Sequence, residues 1–254
     1  MKLIIDFDSF IYRACFACED MVEIKPRVYV QAYSLDKGFE YFKNIMDAML
    51  KATACDNYII CLSDWRNFRK EVVPTYKSNR KTKAPPFFDE LKKMVYDRFE
   101  CISKPYLEAD DLCRALYEDN PRDSIIASID KDLQSFPCKL FNPDHVEWGV
   151  RRIDERKAFE NFAKQLIMGD KTDGYEGIKG MGEARTAKLL PKLKSIDDIV
   201  AYYIENGYTE DDFRQVYNQA KILGKKEIGE LRFELYGGEL WTIPKQEMWL
   251  EWYL

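Results

Sequence analysis

Three short apolar runs, KLIIDF (2–7), YIICLSD (58–64) and SIIASID (124–130), carry or close on an aspartate. Each has the length and residue types of a β-strand, and longer stretches with apolar residues at helical spacing separate them. Strand and helix in alternation argue for an α/β fold, a mainly parallel central sheet flanked by helices. Ser34 is expected to cap a helix that runs to about Cys55, Glu108 to Glu118 to form a short helix, and DERKAFENFAKQLIMGD (154–170) a longer one opened by Asp154. Beyond Asp154 no strong strand signal recurs until the tail. The expected organisation is therefore a sheet domain over 1–153 and a mainly helical region over 154–254.

In open parallel sheets ligands bind outside the carboxyl ends of the strands. Asp6, Asp64 and Asp130 stand at such ends, with Asp132 two residues on. The segment LEADD adds Glu108, Asp110 and Asp111 at a helix start, and Asp170 and Asp173 share a spacing of three. One acid alone reads as a cap or a solvated surface residue. Nine together require cations, and oxygen donors without a His or Cys cluster point to Mg²⁺ or Mn²⁺. Two such ions about 4 Å apart serve in-line phosphodiester displacement.

The remaining composition excludes other chemistries. His145 is the single histidine, and of seven cysteines only Cys15 and Cys18 form a CxxC, so neither a zinc site nor histidine-based catalysis is indicated. The thiols are expected to be reduced and packed. No apolar run approaches membrane-spanning length, and an acid interrupts MKLIIDFDSF where a signal peptide would stay apolar, so a cytoplasmic protein is expected. The formal charge is −5, yet RNFRKEVVPTYKSNRKTK (66–83) sets Arg66, Arg69, Lys70, Lys77, Arg80, Lys81 and Lys83 against Glu71 alone. Directly after the second acid-tipped strand, such a stretch reads as a nucleic-acid contact without sequence preference.

GDKTDGYEGIKGMGEARTAKLL (169–190) reads as a hairpin, Gly177 to Gly182, that feeds an amphipathic helix, in the manner of a helix-hairpin-helix. The unpaired N–H groups at that helix start suit a phosphate, and Gly180 and Gly182 leave room for a sugar-phosphate backbone.

Taken in order, IIDFDSFIYRA, FRKEVVPTYKSNR, LEADD, SIDKDLQ and GDKTDGYEGIKGMGEARTA resemble the motifs of the 5′ nuclease superfamily. That superfamily holds the 5′ nuclease domains of bacterial DNA polymerases, the flap endonucleases and phage exonucleases, all PIN-like folds. The resemblance runs over about residues 2–190 and is nearest to the short-tailed phage 5′→3′ exonucleases, with QAKILG and ELYGGELW similar to their tail. It implies a first metal group of Asp6, Asp64, Glu108, Asp110 and Asp111, and a second of Asp130, Asp132, Asp170 and Asp173. It implies that Lys77 and Arg80 contact the scissile phosphate, that Tyr12 and Arg13 lie near the terminal nucleotide, and that Arg69, Lys81 and Lys83 add affinity for DNA. The hairpin Gly177 to Gly182 would grip duplex, with K⁺ on its carbonyls. The implied activity is exonuclease action from 5′ ends, nicks or gaps in duplex DNA by a monomer, with flap and RNA-primer cutting, RNA/DNA hybrid included, in replication or recombination. The stretch between Lys77 and PPFFDELKK is short, so any arch over single-stranded DNA is small. Two other classes compete: a PIN-type ribonuclease, against which GIKGMGEARTAKLL argues, and a non-catalytic DNA-binding member, against which the full set of nine acids argues.

Overall fold

The computed structural model describes residues 1–79, 84–230, 232–234 and 240–242. β1 (Lys2–Asp6) opens the chain, and its side chains alternate between two layers, as strand geometry requires. Leu3 and Ile5 enter one core and Ile4 the other. α1 (Asp8–Ala17) packs on the first of these layers, followed by an antiparallel hairpin of β2 (Glu19–Lys25) and β3 (Val28–Tyr33). α2 (Leu35–Thr53) is capped by Ser34, whose hydroxyl accepts from the Lys37 N–H, and it buries Phe39, Phe42, Met46 and Met49. Those spacings of three and four make one apolar stripe.

β4 (Asn57–Cys61) pairs in parallel with β1, Asp6 opposite Cys61, and is followed by α3 (Phe68–Val72), α4 (Phe88–Arg98) and β5 (Cys101–Ile102). α5 (Ala109–Asp119) lies on the second layer; β6 (Ser124–Ala127), β7 (Cys138–Phe141) and β8 (Val150–Ile153) complete the sheet. The strand order is β5-β4-β1-β6-β7-β8, parallel except for the β7–β8 pair. Asp6 is the last residue of its strand, whereas Asp64 and Asp130 stand three residues past theirs, in the loops. All three therefore lie at the carboxyl edge of the sheet.

A helical region follows. α6 (Glu155–Met168) starts at Asp154, which accepts from the Lys157 N–H. β9 (Gly169–Asp170) and β10 (Tyr175–Glu176) form a small hairpin, then come α7 (Glu183–Leu189), α8 (Ile196–Glu205) and α9 (Glu210–Ala220) around a core of their own, with Ile167, Ile199 and Tyr203 at its centre. Ser195 and Thr209 close the starts of α8 and α9 as capping boxes. α10 (Lys225–Glu230) returns to α5, and β11 (Arg232–Glu234) pairs with β12 (Leu240–Thr242). The seven cysteines are free thiols, and no helix among the described residues is long and apolar enough to cross a membrane.

Candidate active site

The site is built on the first turn of α5. In LEADDL the two leucines are buried, which fixes the turn against the sheet and leaves the acids between them to divide between mouth and interior. Glu108 is the N-cap and forms a reciprocal box with Asp111. Among the described residues, one carboxylate oxygen each from Glu108, Asp110 and Asp111 lie within 4.8 Å of one another. Asp111 is 0% exposed and turned inward. Its Oδ1 accepts from Arg69 Nη2 at 2.8 Å and from the Leu223 N–H at 2.8 Å, and its Oδ2 from Arg69 Nη1 at 2.9 Å and from the Glu108 N–H at 3.1 Å. Those four bonds occupy its acceptor directions, so Asp111 serves as an anchor; as a cation ligand it would have to surrender them.

Arg69 departs from its expected place on a DNA-facing surface. It is 1% exposed, forks onto Asp111, and donates from Nη1 to Glu108 Oε2 at 2.7 Å. The physical reason is charge: a guanidinium with two carboxylates and a carbonyl around it can be buried where a solvated surface cation gains nothing.

Lys77 lies between the acid groups. Its Nζ donates to Glu108 Oε1 at 2.7 Å and stands 3.7 Å from Asp173 Oδ2. The Lys77 backbone is left-handed, at φ 55°, and its N–H donates to the Asp173 carbonyl at 2.9 Å. A non-glycine residue held there marks a loop whose surroundings dictate its shape. Asn79 adds a second tie, from Nδ2 to the Lys171 carbonyl at 2.7 Å. The Tyr76 hydroxyl, buried beside Lys77, lies 3.1 Å from Glu108 Oε2 and 3.2 Å from Asp173 Oδ2 and bridges the two acids with one proton.

The electrostatics are those of a crowded anionic pocket. Burial works against the charge on Glu108, but Arg69 and then Lys77 outweigh it and hold that carboxyl down at about 2. At Asp110 the balance is reversed: burial, then the Asp111 and Glu108 charges, outweigh Arg69 and Lys77 and push it well above the usual range. Burial followed by the Asp130 charge raises Asp132 to about 7, and burial with Asp173 raises Asp130 in turn. Asp170 is held low despite its burial by Lys131, whose ammonium reaches Oδ2 at 2.7 Å.

Asp6, at the end of β1, accepts from Ser128 Oγ at 2.7 Å. Asp64 is engaged by its own loops, accepting from Arg66 Nε at 2.9 Å and from the Tyr106 N–H at 3.0 Å. Asp8, absent from the sequence reading, belongs to the site. Ser63 Oγ donates to its carboxylate and accepts from the Ala109 N–H at 2.8 Å, and Glu108 and Lys77 both act on its charge. Although solvent reaches Asp8, the protein packed around it raises its carboxyl through desolvation. The only sequence signal for it was its position two residues after Asp6 in IIDFD.

Tyr12 is 47% exposed and its ring meets that of Phe88, and Arg13 forks onto Asp144. In the hairpin, Gly177 is needed by the protein itself, since a Cβ there would lie 2.3 Å from the Ile167 carbonyl oxygen. Gly180 has φ +82°, a left-handed turn position, and a Cβ on Gly182, the N-cap of α7, would meet nothing within 4 Å. Arg80, Lys81 and Lys83 lie outside the described residues.

A mainly parallel α/β sheet with an acid-lined carboxyl edge and a helical hairpin region is the architecture these observations define. The chain belongs to the family of the 5′-3′ exonuclease N-terminal, resolvase-like domain, whose model matches residues 1–162. It is 31% identical over 196 residues to the exonuclease of Escherichia phage T7, across 71% of this chain and 64% of that protein, so it spans a little under two thirds of that relative. Its fold is similar to that of the phage T5 D15 protein co-crystallised with metal ions, with a TM-score of 0.62 at 17% identity over 86% of this chain and 87% of that one. A complex of the T5 D15 flap endonuclease with DNA and metal ions gives a TM-score of 0.60 at 17% identity, over 86% and 87% of the two chains.

Proposed function

We propose that this protein is a divalent-cation-dependent 5′→3′ exonuclease that hydrolyses duplex DNA from 5′ ends, nicks or gaps, and also cuts flaps and RNA primers. The observation that carries this reading is Lys77 held between Glu108 and Asp173 among acids that burial and mutual repulsion keep from ionising freely. A pocket with more carboxylates than cations to match them accepts metal, and its all-oxygen donor set fits Mg²⁺, with Mn²⁺ able to substitute. Glu108, Asp110 and Asp8 would hold one ion, and Asp130, Asp132 and Asp173 a second, with Asp6 and Asp170 supporting them. When bound, such ions supply Lewis acidity and neutralise phosphate charge.

The chain's own groups do the rest. Lys77 offers an ammonium to the non-bridging oxygens of the scissile phosphate, where negative charge develops as the phosphodiester is attacked. Tyr76 keeps the acids on either side of Lys77 at a fixed separation. The open space at Gly182 would let duplex phosphates approach, Gly180 would supply the left-handed turn beside it, and hairpin carbonyls would hold K⁺, so that residues 154–254 hold DNA while 1–153 carry the chemistry. Tyr12 and Arg13 would contact a terminal nucleotide, Arg80 would join Lys77 at the scissile phosphate, and Lys81 and Lys83 would add affinity for DNA. The protein acts as a cytoplasmic monomer.

The test uses 5′-labelled and 3′-labelled duplex, nicked, gapped, flap and RNA/DNA substrates, each with Mg²⁺ and with EDTA. Mg²⁺-dependent release from the 5′ end is expected. Cleavage undiminished in EDTA, or release from 3′ ends alone, would overturn the reading.

A further inference from the structure

After α9 the chain passes under α5 as a short extended strap, Lys221 to Leu223, that belongs to no sheet. Three of its peptide groups are bonded instead by side chains, those of the buried Arg69 and Asp111 and the partly buried Arg114. The Lys221 carbonyl accepts from Arg69 Nη2 at 2.6 Å, the Ile222 carbonyl accepts from Arg114 Nη1 at 2.6 Å, and the Leu223 N–H donates to Asp111 Oδ1 at 2.8 Å. Ile222 and Leu223 are buried in the same core as Leu112 and Leu116 of α5. A buried peptide segment must bond its polar groups, and three consecutive residues here do so on residues of α3 and α5.

Arg69 and Asp111 thus face two ways. On one side they hold the strap; on the other, Arg69 Nη1 reaches Glu108 Oε2 at 2.7 Å and Asp111 Oδ2 accepts from the Glu108 N–H at 3.1 Å. Successive helical residues point about 100° apart, from 3.6 residues per turn. Anchoring Asp111 inward therefore turns Asp110 toward the mouth, and Arg69 sets the direction of the Glu108 carboxylate.

We propose that the strap Lys221–Leu223, acting through Arg69 and Asp111, positions Glu108 and Asp110 for cation binding, so that a segment of the C-terminal region is a working part of the metal site. The proposal rests on the nuclease reading for the site's purpose and on geometry for the coupling. Arg69 and Leu223 are positioning residues; neither touches substrate. α9, which leads into the strap, also packs against β10 of the hairpin. β10 leads directly into the Gly177–Gly182 turn, so the turn proposed to approach duplex is linked to the strap through β10 and α9.

The experiment uses the full chain with three variants: Arg69→Lys, which keeps the charge and loses the fork; Leu223→Pro, which removes the N–H given to Asp111; and Ile222→Ala, which removes packing alone. Mn²⁺ binding is measured without DNA by electron paramagnetic resonance titration, alongside thermal unfolding and the single-turnover rate at saturating DNA. Arg69→Lys and Leu223→Pro are expected to weaken Mn²⁺ binding roughly tenfold or more, the scale found when partners behind metal ligands are lost. Their saturated rate should fall and recover as Mn²⁺ is raised. Ile222→Ala should lower the unfolding midpoint with Mn²⁺ affinity within about twofold of the original, by the separation of packing from ligand orientation. Folded Arg69→Lys and Leu223→Pro proteins with unaltered Mn²⁺ affinity overturn the proposal, and so does an Ile222→Ala protein that loses as much affinity as they do. If Leu223→Pro fails to fold, Arg69→Lys alone decides. A parent protein that binds Mn²⁺ and cuts no DNA defeats the nuclease reading and leaves the coupling standing; one that binds no Mn²⁺ defeats the metal-site reading.

Discussion

Arg69 and Asp111 meet as two parallel forks, Nη2 to Oδ1 at 2.8 Å and Nη1 to Oδ2 at 2.9 Å, with both side chains closed to solvent. Such a pair contributes less by forming than it costs when broken, because the surviving charge stays buried without its partner. Asp111→Ala is expected to destabilise the protein by about 3–5 kcal/mol. Urea unfolding measures it, and a loss below about 1 kcal/mol, the range of surface pairs, would show the fork to be exposed in solution.

If Lys77 stabilises charge developing on the scissile phosphate, as proposed, its removal should act on the rate and leave affinity nearly intact. Lys77→Ala is expected to lower the single-turnover rate at saturating DNA tenfold or more, about 1.4 kcal/mol or above in barrier. A variant that loses only affinity, with its saturated rate preserved, would reduce Lys77 to an electrostatic guide.

Acids raised in the folded state bind more protons there than in the unfolded chain. For Asp132, lifted from 3.8 to about 7, the associated stability is present at low pH and is lost as pH rises through that window. Asp8, Asp110 and Asp130 shift in the same direction. Glu108, lowered to about 2, works oppositely and loses its contribution as pH falls from 4.5 toward 2. Thermal unfolding in EDTA should therefore show a midpoint that declines from about pH 4 to about pH 7, and added Mg²⁺ should flatten that decline by taking the protons' place. An EDTA profile that rises across the window would contradict the crowding described for this pocket.

The two glycines at the ends of the hairpin turn should fail in different ways. A Cβ on Gly177 lies 2.3 Å from the Ile167 carbonyl oxygen, so Gly177→Ala is expected to loosen the turn and lower thermal stability. Gly182 has open space, so Gly182→Val should keep the fold and weaken duplex binding by standing where phosphates approach. Fluorescence anisotropy with labelled duplex, beside unfolding curves, separates the two. Unchanged affinity in folded Gly182→Val would return the turn to a purely structural role.

The parallel sheet was legible because Leu3, Ile4 and Ile5, with their counterparts in β4 and β6, are buried on both faces and leave continuous apolar runs in the sequence. The caps at Ser34 and Asp154 were legible because capping is local chemistry. The β2–β3 hairpin was not: its residues are largely exposed, so EDMVEIK carries no burial pattern to read. Arg69 sits in a run of cations that reads as surface, and carboxylates 39 and 42 residues away, with a carbonyl 152 residues away, draw it inside. Asp64 stands at the right strand yet turns to Arg66 and Tyr106, a choice of rotamer that spacing does not encode.

The bond from Leu223 to Asp111 joins residues 112 positions apart, which gives the protein an order of assembly as it is made. At translation speeds of about 5–20 residues per second, Asp111 leaves the peptidyl-transferase centre roughly 6 to 22 seconds before Leu223 does. Under the proposed coupling, the nascent sheet domain would hold its acids during that interval without the segment that aims them, and any cutting power would stay low until the strap arrives. Synthesis itself would then act as a safety catch, released only once the strap Lys221–Leu223 has been added.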